Sequence, residues 1–306
     1  MAVTTTPTPA IAHDLVSTVL LGITTCQRPL LLERLLASLA ACEGLESCFD
    51  RVVIIDNEAP GTAAKAARTA RLPIPVDYRV EHTRGFSSAR NAVLDARAPG
   101  EAVCFIDDDE VATPGWAMAM QQAHIAHPRD VIMGSIRVEH AGWPSHRTQL
   151  PEGSLIRHNH ASTGNTLFPS WLWDDATLRF DPRFDRSGSE DLDLLLRIED
   201  LGGAIRWWPS AACIEPAQPE RAGFDNYLMV LEAAAARYAG IMRARRERRL
   251  RLTASGLWKT TSGSVIAAVT RGDRRDEARR VATLGRGILT GLTTPLNLES
   301  RYKRNQ

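Results

Sequence analysis

No uninterrupted apolar run in this 306-residue chain approaches the ~20 residues that a membrane-spanning helix requires, so no span is expected. Cysteine is sparse: Cys26, Cys42, Cys48, Cys104 and Cys213 are odd in number and form no C-x-x-C pair. That usage fits a reducing, cytoplasmic compartment. A surplus of one charge is missing too. With a net charge of +1 the molecule offers no general steering toward nucleic acid, and no nucleic-acid partner is expected. There is no G-x-G-x-x-G after the first apolar run and no G-x-x-x-x-G-K-[ST] anywhere, which removes the main support for dinucleotide and P-loop readings. The start, Met1 to about His13, is rich in Thr, Pro and Ala, with neither a basic lead nor an apolar stretch. Residues 1–17 therefore read as a disordered tail rather than a signal peptide.

What is present is an alternation of strand and helix signals from Thr18 onward. Val19-Leu-Leu-Gly-Ile23, Arg51-Val-Val-Ile-Ile-Asp56 and Ala102-Val-Cys-Phe-Ile106 are short apolar runs of the buried-strand kind, and a further strand is read around Val76 to Val80. Between them, Pro29 opens a helix with Leu31, Leu32, Leu35, Leu36 and Leu39 at helical spacing, and helices are predicted near 62–71 and 87–96. Strands separated by helices of about ten residues predict an α/β fold with a parallel, doubly covered sheet. Val131 to Val138 reads as a further strand, 141–160 as a mobile loop, and the chain beyond Arg221 as helical and basic.

Ligands of such sheets bind outside the carboxyl ends of the strands. Thr25, Asp56 and the run Asp107-Asp-Asp109 all fall at strand carboxyl ends and should converge on one crevice. With Glu110, the run gathers four adjacent carboxylates, whose mutual repulsion calls for a compensating cation. Mg²⁺ or Mn²⁺ shared with a substrate phosphate is the simplest candidate; a solvated acidic turn is the alternative.

A second acidic pair, Glu190-Asp191, opens an apolar-faced helix in Ser187-Gly-Ser-Glu-Asp-Leu-Asp-Leu-Leu-Leu-Arg197. Ser187 and Glu190 have capping-box spacing, so both acids could simply favour the positive end of a helix. The functional reading is a carboxylate held at the helix start as a general base. Thr163-Gly-Asn165 lies upstream and could hydrogen-bond a polyol. Metal-binding acids plus a separate base suit glycosyl transfer from a nucleotide sugar, in which the ion neutralises a diphosphate leaving group.

These residues resemble the family 2 glycosyltransferases, over roughly Thr18 to Arg221. Thr24-Thr-Cys-Gln-Arg-Pro29 looks like the family's turn after the first strand, matching at Thr25, Arg28 and Pro29, where the usual form has Pro, Tyr and Asn in place of Thr24, Cys26 and Gln27. Val53-Ile-Ile-Asp-Asn57 and Arg84-Gly-Phe-Ser-Ser-Ala-Arg-Asn91 are similar to its nucleotide-approaching segments, and Asp107-Asp-Asp109 occupies its D-x-D position. The resemblance implies a GT-A Rossmann-like nucleotide-diphospho-sugar fold. It also implies donor binding by Thr25, Arg28, Asp56, Arg84, Asp107 and Asp108, metal on Asp109, and catalysis by the pair Glu190 and Asp191 with Asp191 as base. Glu215-Pro-Ala-Gln-Pro-Glu-Arg221 looks like a variant found in a bacterial branch that includes succinoglycan-type exopolysaccharide transferases; many relatives place a metal-binding histidine near Glu215, and this stretch has none.

The expectation is an inverting, metal-dependent hexosyltransferase acting from a nucleotide sugar, a UDP-sugar favoured, onto a saccharide or polyprenyl-linked acceptor. Its parts are a nucleotide-sugar half at about 18–110, an acceptor half at about 111–223, and a basic helical region at 224–306. Trp171 and Trp173 are the aromatic candidates for acceptor stacking, Trp207 reads as core, and His158 and His160 as surface loop. The run Arg243-Ala-Arg-Arg-Glu-Arg-Arg-Leu-Arg251 is either a solvated helix face or a peripheral anchor on anionic lipid, which would place the protein on the inner face of the cytoplasmic membrane. Two rivals remain: a nucleotidyltransferase of the same fold, and a non-catalytic nucleotide-sugar or carbohydrate-binding protein.

Overall fold

The computed structural model describes residues 18–142, 150–158, 162–174, 177–245 and 249–293. The expected tail at 1–17, part of the expected loop and the centre of the basic run lie outside them. Of that run, the side chains of Arg243 and Arg245 are described, and the backbone alone at 249–252.

In chain order the elements are β1 (Val19–Thr25), α1 (Pro29–Ala40), α2 (Leu45–Cys48), β2 (Arg51–Asp56), α3 (Ala64–Thr69), β3 (Val76–Val80), α4 (Phe86–Asp95), β4 (Ala102–Asp107) and β5 (Val111–Ala112). There follow α5 (Trp116–Ala126), β6 (Val131–Val138), β7 (Ser154–Ile156), β8 (Thr166–Phe168), α6 (Glu190–Asp200), β9 (Ile205–Glu215), α7 (Phe224–Ala244), α8 (Arg249–Val269) and α9 (Asp273–Thr293). One sheet runs β3-β2-β1-β4-β8-β6-β9-β5, with β7 on β9.

The first four strands are parallel, as the helices between them predict. The remainder is mixed: β6 runs parallel to β9, but other pairs reverse. β8 is antiparallel to both β4 and β6, and β5 is antiparallel to β9, so the expected parallel sheet is a mixed one. Among the described residues no helix separates β6 from β8, and short strands joined by loops can reverse direction, whereas α6 precedes β9, which runs parallel to β6.

Both faces of the sheet are covered, because alternate strand residues point to opposite sides. Leu21, Ile23, Val52 and Ile54 pack with the leucines of α1 and with Trp116 and Met120 of α5. Leu20, Val53, Ile55 and Phe105 pack on the other face with Val93 and Leu94 of α4 and Leu194, Leu195 and Ile198 of α6. Gly22 allows the close approach of α4, since a Cβ there would meet the Val93 side chain at 2.5 Å.

The three C-terminal helices are not a loose appendage. Tyr238, Ile241 and Met242 of α7 bury against Phe184, Leu192 and Leu196, and Arg245 pairs with Asp200 at the end of α6. Small residues seat α9: a Cβ on Gly285 would overlap the backbone nitrogen of Thr260 in α8, and one on Gly291 would overlap the Ala236 carbonyl oxygen in α7. No helix among the described residues is long and apolar enough to cross a membrane.

Candidate active site

Parallel register sets the crevice. Thr25 at the end of β1 lies opposite Asp56 at the end of β2, and Thr24 lies opposite Asp107 at the end of β4. The backbone is strained around this rim: Gln27, Asn165 and Ser189, none of them glycine, all take positive φ.

Arginines from distant elements meet the charge of the acidic run. The Arg28 guanidinium lies 3.2 Å from Asp108 Oδ1 and 3.4 Å from Asp109 Oδ2. Arg221, after β9, reaches Asp109 Oδ2 at 3.3 Å and also pairs with Glu215. Arg90 of α4 lies 3.4 Å from Asp107 and pairs closely with Glu190, joining the two acidic motifs. Burial pushes the Asp108 carboxyl up to about 6. Burial, reinforced by Asp107, Asp109 and Glu215, pushes Glu110 well above the carboxylate range. Arg28, Arg90 and Arg221 thus offset part of the charge of Asp107 to Asp109 from within the chain.

The roles inside the run differ. Asp108 is buried and accepts the Thr25 hydroxyl at 2.7 Å, so it braces the turn after β1 rather than facing a ligand. Asp109 Oδ2 also accepts the Gln218 amide at 3.3 Å, while its Oδ1 has no protein donor among the described residues. Asp107 offers Oδ2 in the same way, beside Gly164. No group of three or more ligand side chains occurs among the described residues. Two carboxylate oxygens without protein donors nevertheless suit Mg²⁺ or Mn²⁺, ions that commonly bind one or two carboxylates and take their other ligands from water and phosphate.

At the second motif the capping box does not form. The residue before the helix is Ser189, left-handed and without a side-chain cap, while the Ser187 hydroxyl turns to the Gly188 carbonyl. Glu190 is buried against Arg90, and burial raises its pKa against the pull of that arginine. Asp191 is half-buried and forms no ion pair within 4 Å among the described residues; its Oδ1 accepts the Leu192 N–H at 2.7 Å.

This geometry agrees with sequence comparison. A model of "Glycosyl transferase family 2" matches residues 21–172. A curated relative, "Succinoglycan biosynthesis protein ExoM" of Rhizobium meliloti, is 29% identical over 213 residues, 66% of this chain and 68% of its own. Residues 21–172 form a glycosyltransferase family 2 domain. Among solved structures, that of S. aureus TarS residues 1–349 with UDP-GlcNAc matches at TM-score 0.56 and 15% identity, over 89% of this chain and 90% of that one. The UDP complex of the same protein matches at TM-score 0.55 and 16% identity, again over 89% and 90%. Against a longer TarS chain, the match spans only 55% of that chain's length. At such identity the likeness is one of fold, and it is the expected GT-A α/β fold with a helical C-terminal part.

Several family 2 positions fall where the sequence suggested and several do not. Asp56 is fully buried and accepts the Ala63 N–H at 2.7 Å and the Tyr78 hydroxyl at 2.8 Å, leaving Oδ1 without a partner. Arg84 stands exposed on the rim, 3.5 Å from Glu58. Thr163 is buried, and its hydroxyl has no partner among the described residues. Asn165 is not available to a polyol: it accepts the Trp116 indole N–H at 2.7 Å and donates to the Ser135 and Ala211 carbonyls. Trp171 and Trp173 are not brought to the crevice either. β8 runs antiparallel to β4 and carries the chain away from Asp107, so both lie beyond the opposite end. Trp173 is core, and Trp171 lies under Arg129 and donates to the Arg129 carbonyl. Trp207 is buried as expected, whereas His158, expected in a surface loop, is buried against Glu199.

Sequence reading passed over Arg90, whose signal was a charge between the buried Ala89 and Val93 of α4. It also missed a histidine at Glu215. His140, after β6, supplies one: its Nδ1 accepts the Gln218 N–H at 3.2 Å, which leaves Nε2 to donate to Glu215 at 2.9 Å.

Proposed function

We propose that this protein transfers a hexose from a nucleoside-diphosphate sugar, a UDP-sugar foremost, to a saccharide or lipid-linked saccharide hydroxyl with inversion, in bacterial surface-polysaccharide synthesis. The observation that carries the reading is the contrast at the crevice: Asp107 to Asp109 are tied to arginines, while Asp191 faces it without one. The UDP and UDP-GlcNAc complexes of TarS and the succinoglycan role named for ExoM support the donor and pathway class.

Asp191 takes the proton of the acceptor hydroxyl as that oxygen attacks the anomeric carbon from the face opposite the leaving diphosphate. Arg90 holds Glu190, and with it the start of α6, at a fixed place relative to Asp107. Asp109, with Asp107, would hold Mg²⁺ or Mn²⁺, which supplies charge for the departing nucleoside diphosphate. Arg28 and Arg221 bring two further positive charges to the same end.

A thermal-shift screen of UDP-, GDP- and dTDP-sugars with Mn²⁺ tests the donor class, since bound donor raises the apparent melting temperature. Stabilisation by UDP-sugars and slow metal-dependent release of free sugar fit the transferase; binding with neither transfer nor hydrolysis fits the carbohydrate-binding rival.

The same reading extends to a membrane surface. Helix α8 contains no Asp or Glu, and Trp258 (73% exposed), Val265 and Val269 (78% exposed) follow one stripe of it, flanked by Leu257 and Ile266. The exposed Arg271, Arg274 and Arg275 come directly after. An apolar stripe next to basic residues suits anionic lipid. Flotation with phosphatidylglycerol vesicles at low salt is expected, and absence of binding would remove this contact.

A further inference from the structure

Arg237 stands apart from the other arginines near the catalytic acids. It projects from α7 toward the start of α6, where its Nε donates to the Ser189 hydroxyl at 2.8 Å. Ser189 is the left-handed residue directly before Glu190. The guanidinium is half-buried and within electrostatic range of both Asp191 and Glu190, but lies more than 4 Å from either carboxylate. Its Nη1 and Nη2 have no acceptor among the described residues. Arg28, Arg90 and Arg221 are each committed to carboxylates, and they serve the donor end. A partly desolvated guanidinium without an anion is unfavourable unless a ligand supplies one. Four N–H donors in a planar fork match phosphate oxygens.

We infer that Arg237 binds a phosphate group carried by the acceptor, next to the hydroxyl that Asp191 activates. The inference rests on the transferase reading for which side of the crevice is the acceptor's. It makes α7 part of the substrate site and gives the enzyme a preference for phosphorylated acceptors over neutral ones.

The test uses the full chain saturated with UDP and Mn²⁺, titrated calorimetrically with glucose 1-phosphate, glucuronate and glucose. Wild type should bind glucose 1-phosphate at least about tenfold more tightly than glucose, a difference of about 1.4 kcal/mol. Arg237→Gln should lose that preference, Arg237→Lys should keep part of it, and exchange of the exposed Arg79 for Gln should leave it intact. Equal affinity for the two sugars in wild type, or an unchanged preference in Arg237→Gln, overturns the inference. So does glucuronate binding as tightly as the phosphate ester. The melting curve of Arg237→Gln checks that the variant is folded, and the exchange at Arg79 should still release sugar slowly from donor. Failure of donor hydrolysis in wild type itself would strike the transferase reading, while the binding comparison still reports on Arg237.

Discussion

The two acidic motifs look alike in sequence but live under different electrostatic conditions. At the end of β4, Asp108 and Asp109 share Arg28, Asp109 also meets Arg221, and Asp107 meets Arg90. At the start of α6, Glu190 is buried on Arg90 and Asp191 has no ion pair within 4 Å among the described residues. Carboxylates held by arginines are fixed in place and suit a structural or charge-matching task. A half-buried carboxylate without a cation is free to take a proton. The proposed function accordingly assigns the paired acids to the donor end and the chemistry to Asp191.

Exchanging Asp191 for Asn should show the largest effect, a loss of transfer of about 10²–10⁴-fold, the range for removing a general base, with melting temperature unchanged. Transfer assays with the best donor from the screen measure it, and retention of more than a few per cent activity would dismiss Asp191 as base. Next comes Arg90→Met, which leaves Glu190 buried without its partner. Breaking a buried pair from one side destabilises by about 3–5 kcal/mol, measurable by urea unfolding. A loss below about 1 kcal/mol would mean that the link between the motifs is unimportant.

Gly291→Val asks whether the C-terminal helices belong to the catalytic unit. Overpacking against the Ala236 carbonyl should destabilise by about 1–3 kcal/mol, and limited proteolysis should then cleave within 224–293. The smallest effect concerns pH. Burial lowers the pKa of His124 on α5 below 6.5, so the unfolded chain takes up a proton first as pH falls. The stability contributed by the neutral ring is full above about 6.5 and declines below it. His124→Leu should therefore flatten the acid side of a melting-temperature profile, and an unaltered slope would mean the ring is charged in the fold.

How far these features were legible from sequence depended on sequence distance. β1, β2 and β4 announce themselves as apolar runs because parallel strands inside the sheet are buried on both faces, whereas the edge strand β3, Val76-Asp-Tyr-Arg-Val80, is only partly buried. Asp107 to Asp109 and Glu190-Asp191 are visible because each motif is contiguous. Their counter-charges are not: Arg90 meets Glu190 across 100 positions, and Gln218 meets Asp109 across 109. Arg237 and His140 escape notice for the same reason. Asn165, Trp171 and Trp173 were misplaced because a polar or aromatic side chain near a motif can turn to core as readily as to crevice. The direction of β8, fixed only by its antiparallel pairing with β4, decided the matter for the two tryptophans.

The division of labour is tested most directly by calorimetric titration of a UDP-sugar, with Mn²⁺ and with EDTA, into Asp109→Ala and Asp191→Asn. The account predicts that Asp191→Asn binds donor within about twofold of wild type, a difference under about 0.5 kcal/mol, while Asp109→Ala loses the Mn²⁺-dependent part of binding. Loss of donor affinity in Asp191→Asn, with Asp109→Ala binding normally, would contradict it.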